Sequence, residues 1–246
     1  MFKKMKMTML ASILVCGSSA FAAEVSVSKL RVNLDVNQTA DFLSVLNQSD
    51  TKKESFEIKL FKWSQKENLK KEDGTYGVPE EVLEESNDII LSPKTIVVLP
   101  KQDKVLRILL NNNEEAKKNY SYRMVINQLP SKDSDGEQNV VNLLFKISLP
   151  IFVYNEKIKK IEDMSVNTRY YKEGKNNILE IKNNDKQHVQ VQNIVYGKER
   201  LSVNHYLLPG NITKINVPES FSEKVYNEEF VIETDKGNIK NKELKK

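Results

Sequence analysis

Cysteine is all but missing from this 246-residue chain: Cys16 is the only one, and it lies within the first 22 residues. Everything after it must hold together by burial, without disulfides. Histidine is nearly as scarce, with His188 and His205 alone, too little material for a metal site or a nucleophilic triad. His188 follows NNDKQ and reads as a solvated turn residue. Eight glycines are scattered, and none forms the GxGxxG or GxxxxGKS/T run that cradles a phosphate. The single tryptophan, Trp63, argues against a carbohydrate-active sandwich, which would need a cluster of Trp and Tyr with paired acids; its simplest place is a core. Acidic residues number 34, a density at which near pairs arise anyway, so acid–base catalysis cannot be argued from them. These absences predict a chain that is not an enzyme and holds no cofactor or metal.

A large excess of one charge is missing too. The formal net charge is +4, but Lys3, Lys4 and Lys6 sit in the first 22 residues, and removing them leaves 35 basic against 34 acidic residues. That near balance offers no positive field with which to displace counterions from a nucleic acid, so none is expected as a partner. No later stretch approaches eighteen apolar residues, and no sustained helical period occurs.

What is present begins with a targeting segment. The three lysines form a positive start, Met9–Cys16 a short apolar run, and Ala20-Phe21-Ala22 a small-residue cleavage site, so residues 1–22 read as a secretory signal cut before Ala23. Val15 precedes Cys16 where a lipid-anchoring signal has Gly or Ala, so no lipid anchor is expected.

The remainder is organised around Asn139–Val153, NVVNLLFKISLPIFV. Its odd positions read Val141, Leu143, Phe145, Ile147, Leu149, Ile151 and Val153, while Asn142, Lys146, Ser148 and Pro150 stand among its even ones. Alternate side chains of an extended chain point to opposite faces, so this is a strand with one unbroken apolar face, roughly 45 Å long and about twice the usual length. Such a strand is either the buried centre of a sandwich or an overhanging element that offers part of its apolar face to another polypeptide.

The other segments are also strand-like. Ala23–Asn33 changes phase between Val25, Val27 and Leu30, Val32, and carries Arg31, which by itself reads as a solvated edge residue. Ala40–Asn47 follows, and Ser55–Trp63 changes parity after Leu60, predicting a bulge or a switch of sheet. Ser64–Glu85 reads as a long polar loop with a short helical turn. Asp88–Leu99 is interrupted by Pro93, as an edge or crossover allows. Lys104–Leu110 and Tyr120–Leu129 complete about seven strands, the count of an immunoglobulin-like sandwich. After the charged connector Asn155–Ile161, shorter strands at Ile178–Asn183, His188–Val195, Leu201–Leu208, Ile212–Val217 and Glu229–Glu233 predict a second, smaller all-β domain. The expected organisation is a signal at 1–22, an N-terminal domain at 23–154 and a C-terminal domain at 155–246.

Taken together, VSVSKLRVNL, LFKWSQ, DIILSPKTIVVLP with KVLRI, YRMVINQLP, FKISLPIFV, ILEIKNNDKQHVQVQNI and YLLPGN resemble, in order, the PapD-type periplasmic chaperones of chaperone–usher pilus assembly. The branch they look closest to is the archaic one, named after spore coat U-like subunits. The resemblance implies an all-β protein of two immunoglobulin-like sandwiches set at an angle with a cleft between them. It implies a chaperone that binds and folds pilus subunits in the periplasm by lending them a strand, then delivers them to an outer-membrane usher without ATP. The residues filling the subunit's groove would be Val141, Leu143, Phe145, Ile147 and Leu149. Arg31 matches the first of two basic residues that anchor the subunit's terminal carboxylate; the second falls on Pro150, with Lys146 as the nearest substitute. Arg107 and Asp235 match an interdomain ion pair whose third member would be Asn119. The free form would be open to self-association through its edge strand. The rival reading is a secreted structural or adhesive sandwich that is itself a pilus component. Against it, the strand VSVSKL begins directly after the signal, with no donor extension and no cysteine pair.

Overall fold

The structure, a computed structural model, describes residues 25–35, 37–111, 120–130, 144–220 and 230–241. In chain order the first half contains β1 (Val25–Val27), β2 (Val32–Asp35), β3 (Ala40–Asn47), β4 (Glu54–Lys66) and β5 (Glu80–Glu85). It continues with β6 (Ile89–Ser92), β7 (Thr95–Val98), β8 (Asp103–Leu110), β9 (Tyr120–Gln128) and β10 (Lys146–Tyr154). One sheet has the order β1-β3-β8-β6; the other runs β2-β10-β9-β4-β5, with β7 also on β4. Their inner faces meet in one core, where Leu43, Val45, Leu106, Ile108, Phe56, Ile58, Tyr122, Met124 and Ile151 are almost wholly buried.

At two places the chain changes sheet within a single strand-like segment, and both are visible as breaks in the sequence pattern. Between Val27 and Val32 the phase changes, and β1 and β2 lie in opposite sheets. Pro93 separates β6 from β7, which pair with β8 and β4 respectively. The expected bulge in the fourth strand does not occur. Its ladder to β9 runs from Phe56 to Lys62 without interruption, and Trp63 follows in register with Leu83 of β5. The parity change is a change of which face is covered: Phe56, Ile58 and Leu60 face the sandwich core, while Trp63 is buried on the other side. The expected loop over Ser64–Glu85 is partly β5 paired along β4, and its tip closes with a bridge between Lys70 and Tyr76 in place of a helical turn.

The second sandwich follows a single 3-10 turn at Ile161–Asp163. Its strands are β11 (Val166–Glu173), β12 (Asn176–Asn183), β13 (Val189–Tyr196), β14 (Glu199–Leu207), β15 (Ile212–Val217), β16 (Phe230–Thr234) and β17 (Gly237–Asn241). They form the sheets β11-β12-β15 and β14-β13-β16-β17 around Leu179, Ile181, Val189, Val191, Phe230 and Ile232. The β16–β17 turn is seated against the connector. Ile161 N–H donates to Lys236 O at 3.0 Å. Gly237 sits at φ +126°, where a Cβ would come within 2.9 Å of Ile161 Cγ2, so this turn tolerates only glycine. Asp235 is thereby held at the boundary between the two sandwiches.

Candidate functional site

β10 joins the two halves of the molecule, and its two ends have different neighbours. Along its whole length it pairs antiparallel with β9, from Lys146 opposite Asn127 to Val153 opposite Tyr120. On its other side β2 pairs with Ile151–Tyr154 alone. Among the described residues no strand covers that side of Lys146–Pro150, so the N-terminal half of β10 is an open sheet edge. Gln128 N–H donates to Phe145 O at 2.9 Å. The alternation of an antiparallel ladder then sends the backbone groups of Lys146 and Ser148 toward the open side, while the buried Pro150 stands where the β2 pairing begins. Proline is tolerated at such an edge because its missing N–H removes no ladder bond to β9.

The odd face of β10 changes environment along the same axis. Val153, Ile151 and Leu149 lie in the first core, Ile147 packs at its margin, and Phe145 emerges with 39% exposure beside Leu144 at 51%. Leu149, expected to fill a partner's groove, is thus 4% exposed and belongs to the protein's own interior. Lys146 is exposed. The expected strand began at Asn139; the described strand begins at Lys146, and Val141 and Leu143 lie outside the described residues.

The even face of the C-terminal half makes the joint between sandwiches. Phe152 and Tyr154 cluster with Trp63, Leu208 and Tyr206. His188, expected as a solvated turn residue, is 2% exposed and stacks flat on Phe152 at a centroid distance of 3.4 Å. Its Nδ1 lies 3.2 Å from the Tyr154 hydroxyl and its Nε2 3.3 Å from Asp235 Oδ2. Nε2 faces the carboxylate without the alignment of a hydrogen bond, and Nδ1 is within hydrogen-bond distance of the Tyr154 hydroxyl. Burial pushes the imidazole down to about 4, against the pull of Asp235. Burial alone would raise the Asp235 carboxyl, but the adjacent His188 ring and the donors Gln190 N–H and Arg31 outweigh it and hold it at about 2. Burial lowers the neighbouring Lys236 ammonium to about 8.

Arg31 is the cation that meets Asp235, its Nη1 donating to Oδ2 at 2.6 Å. This corrects two expectations. Arg31 is not a free edge charge, although its side chain stays 30% exposed. Arg107 does not pair with Asp235: it is exposed on the outer face of β8, in the sheet remote from β10, opposite Phe42 of β3. Asn119, the expected third member, lies outside the described residues.

A second joint was invisible in the sequence. The β4–β5 loop reaches β15, where Asn68 accepts from Lys214 N–H at 3.0 Å and donates to Lys214 O, and where Tyr76 N–H donates to Asn216 Oδ1 at 2.9 Å. Gln65 adds a donor to Tyr206 O at 2.8 Å and an acceptor for Leu208 N–H at 3.0 Å. No spacing rule distinguishes these amides from any other surface Asn or Gln. For Phe152 and Tyr154 a signal did exist: two aromatics on the face opposite the core residues of one strand imply a second cover.

The chain matches the family described as pili and flagellar-assembly chaperone, PapD N-terminal domain, over residues 24–159. No curated protein matches its sequence. Solved structures share its fold. A chain of the CsuC–CsuE chaperone–tip adhesion subunit pre-assembly complex from archaic Csu pili of Acinetobacter baumannii is 19% identical, with a TM-score of 0.61 over 89% of this chain and 98% of that one. The E. coli chaperone DraB is 15% identical, with a TM-score of 0.57 over 88% and 95%. A chain of the Salmonella enterica SafA pilin–SafB chaperone complex is 14% identical, with a TM-score of 0.57 over 88% and 95%. The family match spans more than half of the sequence and the whole β1–β10 sandwich, and the chain therefore belongs to the PapD-like pilus-assembly chaperones.

Proposed function

We propose that this protein holds incomplete pilus subunits by adding the N-terminal half of β10 to them, in the periplasm and without catalysis or ATP, and passes them to an outer-membrane usher. The observation that carries the reading is the unpaired edge of Lys146–Pro150 next to exposed Phe145. A sandwich that lacks a strand presents two unpaired edges and an apolar groove, and a strand with a free edge and an apolar face satisfies both needs at once. Lys146 and Ser148 would supply N–H and C=O groups to the client's ladder; Pro150 has no N–H, is buried, and stands where the β2 pairing begins, so it marks where the added pairing stops. Phe145 and the outer part of Ile147 would enter the groove, with Val141 and Leu143 continuing the series. Leu149 stays home. Full burial of such a side chain contributes about 1.5–3 kcal/mol; Phe145 and Ile147 start partly buried and contribute less each. The fold relatives recorded with a tip adhesion subunit and with a pilin support the class of partner.

Arg31 is the proposed anchor for a client's terminal carboxylate. A guanidinium has five donors, and the bond to Asp235 uses one, so the exposed part of Arg31 can take a second carboxylate. Lys146 is the other candidate. Arg31→Ala is expected to weaken capture more than Lys146→Ala.

Co-expression with an exported subunit tests the reading. Phe145→Glu is expected to leave the chaperone folded, because the side chain is already exposed, and to abolish recovery of the subunit. Undiminished co-purification would refute strand lending through this face.

A further inference from the structure

The outer face of the β1-β3-β8-β6 sheet carries several exposed large apolar side chains and has no occupant in the strand-lending reading. A solvent face should alternate to polar residues. Here Phe42 is 59% exposed, Val105 49%, Ile90 47% and Leu109 39%. Their register makes them one patch: Ile90 lies beside Leu109, Phe42 beside Arg107, and Leu46 beside Asp103. Lys29 reaches over the Phe42 ring at 5.0 Å and leaves most of it uncovered. Arg107 and Asp103 are both exposed, and among the described residues neither has an ion-pair partner.

The outward residues of β8 read Asp103, Val105, Arg107, a pattern that is complementary to itself when reversed about its centre. We propose that this face is where two copies of the chain associate, about a twofold axis lying in the interface and crossing the strands at Val105. Such a rotation reverses strand direction while keeping each strand over its own copy. Asp103 then faces Arg107 of the partner copy, twice, and Phe42 faces Leu46 of the partner copy, twice. Val105 and its cross-strand neighbour Ser44 lie on the axis. Stacked sheets align to within about 30°, and Asp103, Arg107, Phe42 and Leu46 are each within two positions of the axis, so twist does not destroy their match. A client or a lipid would have to bring its own carboxylate to Arg107; a second copy supplies one at the required register.

The eight-residue strands β3 and β8, flanked by three residues of β1 and four of β6, offer roughly 360 Å² per copy at about 3.3 Å per residue and 4.8 Å between strands. The sum over two copies, roughly 700 Å², lies below that of a stable specific interface, so the dimer is weak and concentration-dependent. Because β10 lies in the other sheet, each copy keeps its open edge, and a dimer can carry two clients.

Sedimentation of the mature chain from low micromolar to near-millimolar concentration tests this. The wild type is expected to move from monomer toward dimer. Arg107→Asp and Asp103→Arg, each placing like charges opposite one another, are expected to weaken association about tenfold, since two surface pairs are lost at once. The double variant exchanges the signs and is expected to restore it. A chain that stays monomeric throughout, single variants that associate like the wild type, or a double variant that fails to recover would each overturn the proposal. So would association abolished by Phe145→Glu and indifferent to Arg107→Asp, which would place the contact at the β10 edge instead.

Discussion

Protonating His188 inverts the electrostatics of the joint between the sandwiches, and the cost follows from its surroundings. The ring is 2% exposed, stacked on Phe152, held at Nδ1 by Tyr154 and faced at Nε2 by Asp235. Tyr206 lies against it at 5.9 Å, and the Lys236 and Arg31 cations oppose a further positive charge. Asp235 favours the charge, but burial dominates and lowers the group from 6.5 to about 4. Between those values the unfolded chain binds a proton that the folded one refuses, so stability is complete above pH 6.5 and falls as the pH drops toward 4. At about 1.4 kcal/mol per pH unit, the loss is about 3 kcal/mol. Asp235, held at about 2, loses its own contribution only below its ordinary 3.8, outside this window. The assay is urea unfolding followed by the fluorescence of Trp63, the only tryptophan, which sits in the same joint. His188→Phe retains a flat ring against Phe152 and cannot titrate. The stability advantage of the wild type over this variant is expected to shrink by about 3 kcal/mol between pH 7 and pH 4. A difference that stays constant over that range would refute the reasoning, because every other titrating group is shared.

Two further perturbations separate the contacts seen from those expected. Asp235→Ala strands Arg31 and the Gln190 N–H and is expected to cost about 3 kcal/mol, whereas Arg107→Ala is expected to stay within about 0.5 kcal/mol; the same Trp63 unfolding curves check both. Asn68 is 5% exposed, and its loss leaves Lys214 N–H and Gly77 O without partners, so Asn68→Ala is expected to cost about 1–3 kcal/mol and to speed hydrogen exchange at the Lys214 amide.

Much of the fold was legible because strand alternation is a local signal. Ile212–Val217 was delimited to the residue, and the changes of sheet at β1/β2 and β6/β7 left a phase break and a proline in the sequence. The same signal misled where a second cover was present. Trp63 looked like the result of a bulge because its face turns away from the first core, and β11 and β17 went unread because their outward positions carry charges. In the candidate site, Phe145 was legible as part of an alternating apolar face, while Leu149 shares that alternation and differs only in lying under the opposite sheet.

The alternation of apolar side chains, together with missing thiols and scarce histidines, determined on its own that this chain is an all-β protein held together by burial, and left its longest strand either a buried centre or an overhang. Only tertiary structure decided which cation meets Asp235 and where β2 stops covering β10. Arg31 and Asp235 are 204 residues apart, and no local period carries information over that distance. Their meeting depends on how two finished sandwiches are joined, through Phe152, His188 and the turn locked by Gly237.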